Sequence, residues 1–214
     1  MPTTFHPLSI ISVVAYFSVV TIVKNDLVGL IKTRQSLERQ SFQDWQHLIV
    51  PSSAEDSGVN WVQSFCDSHT LLIIQKGKGI YSAMNQGSSV AEGRYLLFLN
   101  AGDALSSGSS LELVWTELRK TSPSWAAFGG IVQGDRGRVF VTPKTYPSAR
   151  DVAFGRAGIM HPSVFYASFF FKKLNGYNET FAIAGDLELN IRARKNGPPA
   201  SFDFPVSIFF ADGI

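Results

Sequence analysis

Through the first half of the chain, apolar runs of strand length alternate with stretches whose apolar residues recur at helical spacing. Phe17 to Val23 (FSVVTIV) stops at the polar Lys24-Asn25-Asp26, and Leu27 to Arg39 then carries apolar residues at 27, 30, 31 and 37. That pattern predicts strand, turn and helix. Trp45 to Val50 (WQHLIV) reads as a second strand, and the serine-rich stretch from Pro51 to Gly58 as the loop at its end. Val59 to Cys66 predicts a short helix and Leu71 to Gln75 (LLIIQ) a third strand. A glycine turn at 77–79 then opens a helix over Ile80 to Val90, with Ile80, Ala83, Met84, Gly87 and Val90 on one stripe. Tyr95 to Leu99 (YLLFL) is a fourth strand, an uninterrupted apolar run of the kind buried on both faces of a parallel sheet. This alternation predicts an α/β fold, a mostly parallel central sheet with helices on both faces.

Beyond an amphipathic helix predicted at Leu111 to Lys120, the pattern changes. Trp125 to Gln133 and Arg138 to Val141 read as strands joined through Gly134-Asp135-Arg136-Gly137, a hairpin signal that predicts a small antiparallel C-terminal portion. The Pro-bearing stretch from Thr142 to Arg156 reads as an irregular loop, Val164 onward as an extended run, and Phe169 to Phe171 as a turn. A helix over Asp186 to Arg194 and a last strand over Ser201 to Phe210 complete the pattern. At 214 residues the chain fits a single domain over 1–214. Residues 1–16 are expected to add a strand or a leader, with 17–110 and 111–214 as the two halves of the domain.

Composition narrows the classes. A hydrophobic content of 45% and a charged content of 17% are those of an ordinary globular protein. A net charge of +2 with no basic run argues against nucleic acid as a partner. The single cysteine, Cys66, excludes an internal disulfide, fits a reducing compartment and reads as a small buried apolar residue. Leu8 to Val23 is apolar but falls short of the roughly 18 to 20 residues that span a bilayer. It is rich in β-branched residues and lacks a basic leader. These features place the protein in the cytoplasm, with peripheral association at the inner face of the plasma membrane as the remaining membrane option.

Candidate chemistry gathers at the ends of the predicted strands. Ligands in open α/β sheets sit outside the carboxyl ends of strands. The fourth strand stops at Asn100-Ala101-Gly102-Asp103, which makes Asp103 a candidate carboxylate, weighed against a simple turn or cap. Asp186 and Glu188 open the last helix, and two positions on a helix point about 200° apart, so only one can face a cleft. Glu188 has Arg192 four residues on, a surface pair, which leaves Asp186 for the cleft or as a first-turn acid favoured by the helix dipole. His161 precedes a proline at the start of an extended run, and a ligand role and a structural one are both open. Gly77 to Ser82 approximates the GxGxxG dinucleotide pattern, but the third glycine is Ser82 and the turn follows the third strand rather than the first.

Several runs in a fixed order carry a family resemblance. VKNDLVGLIKTRQSLERQSFQDWQHLIV, then GIYSAMNQGSSVAEGRYLLFLNAGD, then HPSVF, LNGYNETF and GDLELNIR resemble the family-2 glycosyltransferases of GT-A fold. Among these, the bacterial-type members that build cell-surface polysaccharides are the most similar, and the resemblance covers roughly Ser18 to the C-terminus. It implies a GT-A-like fold in which 17–110 bind a nucleotide sugar and 111–214 form the acceptor side. It also implies metal-dependent, inverting transfer of a sugar from a nucleotide-diphosphate sugar to a hydroxyl on a glycan or lipid-linked acceptor, with Mg²⁺ or Mn²⁺ as cofactor. Position by position, it implies donor binding by Val23 and Asn25 at the first strand tip, by Met84 and Asn85 on the later helix, and by Asn100 and Asp103. Asn100 to Asp103 would replace the family's Asp-x-Asp, with Asp103 as the metal-ligating carboxylate. Asp186 falls at the general base, and His161 and Glu188 fall on the acceptor side.

Hard oxygen ligands at a strand tip suit a cation that neutralises a departing diphosphate, and a carboxylate suits deprotonation of a hydroxyl. The chain departs from the family where acids are common, carrying Pro51, Gly77 and Ser82 instead. Two alternatives therefore remain. One is a relative that binds nucleotide or glycan with little or no turnover, and the other is a nicotinamide-dependent oxidoreductase using the 77–82 turn. The family usually continues beyond the point that matches Phe210.

Overall fold

The computed structural model describes residues 15–65, 67–134, 137–141, 150 and 160–211. The start of the 8–23 segment, Cys66, the 135–136 hairpin tip and nearly all of the 142–156 loop lie outside the described residues. The chain runs β1 (Phe17–Val23), α1 (Leu27–Glu38), β2 (Trp45–Pro51), α2 (Ser57–Gln63), β3 (Thr70–Leu72), α3 (Ile80–Ser89) and β4 (Tyr95–Phe98). There follow β5 (Ala104–Leu105), α4 (Ser110–Thr121), β6 (Trp125–Gly134) and β7 (Gly137–Val141). After a 3-10 turn at His161–Ser163 come β8 (Val164–Ala167), α5 (Ser168–Lys173), α6 (Gly185–Arg194) and β9 (Ala200–Phe210).

Among the described residues the strands form one sheet in the order β3-β2-β1-β4-β8-β6-β9-β5, with β7 paired to β6. β1 lies parallel between β2 and β4, in register Phe17 with Trp45 and with Tyr95. Six of its seven residues are buried, as an inner parallel strand demands. Successive side chains of β1 face opposite sides of the sheet. Val23 packs in one cluster with Leu30 of α1 and Val62 of α2. Val20, on the other face, lies under α3, where a Cβ on Gly87 would come within 2.6 Å of it. Helices therefore cover both faces, and the missing side chain at Gly87 lets α3 lie directly on the sheet. The second half is mixed: β8 runs antiparallel to β4 and β6, while β9 is parallel to β6.

Four local readings need correction. β3 is short and marginal, with Leu71 45% exposed, because it is the edge of the sheet; Ile73 and Gln75 continue along β2 through single backbone bonds of 2.9 and 3.1 Å. The second helix begins two residues early, since the Asp56 carboxylate accepts from the Gly58 amide at 3.0 Å and caps it. Residues 168–173 form a helix rather than a turn, burying Phe170 and Phe171 and exposing Phe169. In α3 the buried arc holds Tyr81, Ala83, Met84 and Gly87, while Ile80 is 46% exposed and Val90 is also at the surface.

Candidate active site

The carboxyl ends of β1 and β4 meet at a turn that α1 fastens in place. Asp103 closes the turn with its amide on the Asn100 carbonyl at 3.0 Å, and Gly102 takes a left-handed φ of 96° that favours glycine. The hydroxyl of Thr33, on α1, donates to the carbonyl oxygens of Asn100 (3.1 Å) and Asp103 (2.7 Å) and accepts from the Gly102 amide at 3.1 Å. The turn that carries the candidate carboxylate is thus held by a side chain some 70 positions earlier. Asp103 is 5% exposed. Burial pushes its carboxyl up to about 7, against the opposing pull of the Asn100 backbone and of Lys32. Beside it, Asn100 Oδ1 is buried with no hydrogen-bond partner.

Both residues line a cavity of about 400 Å³ whose other polar walls are Tyr81, His161 and Asp186. Asp186 enters in the first turn of α6, after Ala184 in a left-handed conformation. The Tyr81 hydroxyl accepts from the Gly185 amide at 2.8 Å and reaches Asp186 Oδ1 at 3.4 Å. A Cβ on Gly185 would sit 2.6 Å from the Tyr81 ring, so the helix start and the tyrosine are fitted to one another. Burial and the neighbouring Asp186 raise the Tyr81 phenol above its usual value, which keeps it a neutral donor. His161 Nε2 lies 2.9 Å from the Tyr177 hydroxyl, and its ring stacks on Phe98. Burial lowers the His161 pKa, with Asp186 acting in the opposite direction. The Tyr177 phenol is held well above its usual range, chiefly by burial.

The cavity shares the walls Ile80 and Asn100 with a second, larger hollow of about 760 Å³. This cleft lies over the tips of β1 and β2 and the glycine turn that opens α3, with Val23, Lys24, Asp26, Ser52, Gln75 and Lys78 in its walls. Two lysines and the start of a helix give it the character of an anion site.

The structure therefore brings Met84, Asn100, Asp103, His161 and Asp186 to one cavity, and Val23 and Asn100 to the adjoining cleft. It does not bring Asn25, Asn85 or Glu188 there. Asn25 turns the chain at φ 51°, its amide donating to Asp56 Oδ2 at 2.8 Å. Asn85, about 100° around the helix from Met84, bridges to the Tyr177 backbone in both directions (2.8 Å each) and to Glu179 (2.9 Å). It braces the 176–179 turn and lines neither the cavity nor the cleft. Glu188 accepts twice from Arg192, at 2.6 and 2.8 Å, and the same guanidinium holds the Gly176 carbonyl at 2.7 Å. Its role is a brace on α6, as the spacing to Arg192 suggested.

Sequence reasoning overlooked Tyr81, Thr33, Lys24, Asp26 and Lys78. Their signal was positional, since Lys24, Asp26 and Lys78 flank strand and helix ends that were already assigned. Two of the three positions where the sequence lacks the expected acids are neighbours in space. A Cβ at Gly77 would fall 2.2 Å from Ser82 Oγ, so these positions touch. The cleft keeps a carboxylate of its own in Asp26, which also caps α1 through the Gly29 amide at 2.8 Å.

Among the described residues no three His, Cys, Asp or Glu side chains converge as a metal cage. The donor set is nevertheless one that Mg²⁺ or Mn²⁺ accepts. A buried carboxylate and an orphaned amide oxygen fit a cation that takes one or two protein ligands and completes its shell with phosphate oxygens and water.

The family model described as glycosyl transferase family 2 matches residues 18–178. The chain belongs to glycosyl transferase family 2. That membership sets the nicotinamide reading of the 77–82 turn aside. A PGL/p-HBAD biosynthesis glycosyltransferase of Mycobacterium bovis is 28% identical over 183 residues, covering 84% of this chain and 70% of the relative. An uncharacterized glycosyltransferase of Mycobacterium tuberculosis is 28% identical over 198 residues, covering 92% and 76%. Among solved structures, Staphylococcus aureus TarS 1-349 superposes with a TM-score of 0.75 at 17% identity, over 91% of this chain and 60% of that one. The same protein in complex with UDP-GlcNAc gives a TM-score of 0.73 at 15% identity, over 92% and 59%. This chain thus spans about 60% of the length of that 1-349 chain and 36% of the longer TarS chain, and the likeness establishes the GT-A-like fold. Among the described residues no helix is long and apolar enough to cross a membrane.

Proposed function

We propose that the protein transfers a sugar from a nucleotide-diphosphate sugar to a hydroxyl acceptor, with inversion at the anomeric carbon, in the assembly of a cell-surface glycan on the cytoplasmic side. The observation that carries this reading is the placement of Asp103 and Asp186 in the walls of one cavity that shares Ile80 and Asn100 with a lysine-bearing cleft over the strand tips. The nucleotide lies along Val23 and the ends of β1 and β2, and Lys24 and Lys78 attract its diphosphate. The Asp103 carboxylate and Asn100 Oδ1 would hold a divalent cation, which would supply neutralisation of the leaving group.

Asp186 acts as the base. The acceptor oxygen forms its bond to the anomeric carbon while the bond from that carbon to the diphosphate oxygen breaks, and the diphosphate leaves with the electron pair. The acceptor's proton passes to the Asp186 carboxylate. Tyr81, bonded to the Gly185 amide and reaching Asp186 Oδ1, positions the carboxyl and leaves its other oxygen for the incoming hydroxyl. His161, held neutral by burial and paired to Tyr177, forms a polar floor rather than a second base.

The test is a thermal-shift panel of nucleoside diphosphates with and without Mn²⁺, followed by assay of the corresponding sugar donors for hydrolysis. A Mn²⁺-dependent shift together with donor hydrolysis supports the transferase. Binding without hydrolysis favours the non-turnover alternative, for which the absent acids at 51, 77 and 82 are the motivating observation. No shift with any nucleoside diphosphate overturns the donor site.

A further inference from the structure

The imidazole in the cavity wall has its proton placed by its surroundings. Tyr177 is buried, and its hydroxyl lies 2.9 Å from His161 Nε2. A buried hydroxyl needs an acceptor for its proton, and among the described residues the phenol has no acceptor other than this nitrogen. The phenol therefore donates and Nε2 accepts. Burial lowers the His161 pKa and keeps the ring neutral, so its single N–H stands on Nδ1. That nitrogen has no partner among the described residues, and it keeps accessible surface in a ring that lines the cavity. His161 thus offers the cavity an unpaired hydrogen-bond donor.

The direction of this donor is fixed from several sides. The Tyr177 ring packs against Tyr81, Phe98 and Phe171, and Phe98 also stacks on the imidazole. Asn85 holds both backbone groups of Tyr177 at 2.8 Å each. The preceding Gly176 takes a left-handed φ of 62°, and a Cβ there would come within 2.5 Å of Asn85 Oδ1. Arg192 holds the Gly176 carbonyl at 2.7 Å. Asn85 therefore fixes the phenol, and the phenol fixes the imidazole. A donor oriented before its ligand arrives loses little freedom on binding.

Resting on the reading of a nucleotide-sugar donor, we propose that His161 Nδ1–H donates a hydrogen bond to an oxygen of the transferred sugar, a ring hydroxyl or an amide carbonyl. In that reading the reacting carbon lies between the diphosphate end at Asp103 and the base at Asp186. The sugar that carries it occupies the cavity these two share with His161. His161 takes no part in the cleft proposed for the nucleotide. The contact selects among sugars, because a fixed N–H left without its partner disfavours a sugar that lacks oxygen at that position. Tyr177 and Asn85 are positioning residues that act through the imidazole.

Two measurements on the purified protein test this contact and keep it separable from the transferase reading. The first is a long-range proton–nitrogen NMR correlation of the histidine rings, with the His161 signals assigned by their absence in His161→Gln or His161→Asn. The proposal expects the proton on Nδ1 in wild type and a shift of the proton toward Nε2 in Tyr177→Phe. A wild-type proton on Nε2 overturns it. The second is calorimetric titration in Mn²⁺ without acceptor, comparing UDP and GDP with UDP-glucose, UDP-GlcNAc and GDP-mannose. Asparagine carries its N–H on the atom bonded to Cγ, as Nδ1 is, whereas glutamine carries it one bond further out, toward Tyr177. His161→Gln should bind nucleoside diphosphate as wild type does and the nucleotide sugar about tenfold more weakly, the scale of one lost hydrogen bond. His161→Asn should recover nucleotide-sugar affinity to within about threefold of wild type. Unchanged nucleotide-sugar affinity in His161→Gln, or an equal loss in both variants with nucleoside diphosphate binding intact, overturns the contact and leaves the donor reading standing. Failure of wild type to bind any of the five compounds overturns the donor reading and the sugar contact with it.

Discussion

The two ends of the cleft are made in different ways. The end proposed for the nucleotide rests on the tips of adjacent parallel strands and on the turn that opens α3, so its shape comes from backbone geometry and register. The end proposed for the acceptor is assembled from single side chains brought from α3, β6, the His161 turn, α6 and β9. One end carries two lysines and the start of a helix, and the other sets five polar side chains, Asp103 and Asp186 among them, against Val132, Met160, Pro162 and Phe209. A site shaped by backbone geometry depends less on any one side chain than a site assembled from single side chains. Substitutions should therefore separate the two ends.

The largest effect is expected at the acceptor end. Asp186→Asn should lower turnover by about 10²–10⁴-fold, the usual worth of a general base, with nucleoside diphosphate affinity unchanged in a calorimetric titration. At the donor end the decisive variable is pH. Because burial raises Asp103 to about 7, Mn²⁺-dependent nucleotide binding should weaken by about tenfold per pH unit below that value, as the proton displaces the cation. The same shift acts on stability with a definite sign. The unfolded chain ionises Asp103 near 3.8, before the native protein does, so the metal-free protein loses stability as pH rises from about 4 to about 7. Asp103→Asn should remove that slope, giving a higher Tm than wild type above about pH 7 and no difference below about pH 4. A wild-type Tm profile identical to that of Asp103→Asn would contradict the buried carboxyl.

A smaller effect is expected at Tyr81→Phe, which keeps the ring and deletes the hydroxyl that holds Gly185 and Asp186. Turnover should drop by about tenfold with donor binding intact, and its acid limb should move, which loss of packing alone would not do. The smallest is Glu188→Gln, which loses a partly buried pair with Arg192 and should cost about 1 kcal/mol in chemical denaturation, with turnover unchanged.

The same contrast decides what could be read from the sequence. The strand tips at Val23 and Asp103 and the helix at Asp186 were legible because each is marked locally, by an apolar run that stops at polar residues or by helical spacing. Glu188 was separated from Asp186 by helix geometry alone, and its pair with Arg192 is present. Tyr81 was missed because periodicity placed Ile80 and Val90 on the buried stripe. The tyrosine is drawn inward by partners on α6, more than 100 positions away. Asn85 was misplaced for the mirror reason, since its partners on the 177–179 turn do not show in the spacing of α3. β5 escaped notice because its two residues become a strand only through Ser207 and Ile208 of β9. The apolar wall has no local signature, for its four residues come from three separated segments.

The most direct test of the central claim, one cavity with a metal-and-diphosphate end at Asp103 and a base end at Asp186, is a paired calorimetric titration. Asp103→Asn and Asp186→Asn are each titrated at pH 8 with the nucleoside diphosphate that binds wild type in the presence of Mn²⁺. The account predicts that Asp103→Asn loses the Mn²⁺-dependent part of the binding and that Asp186→Asn retains all of it. Equal Mn²⁺-dependent affinity in both variants, or its loss in Asp186→Asn alone, would contradict the assignment of the two ends.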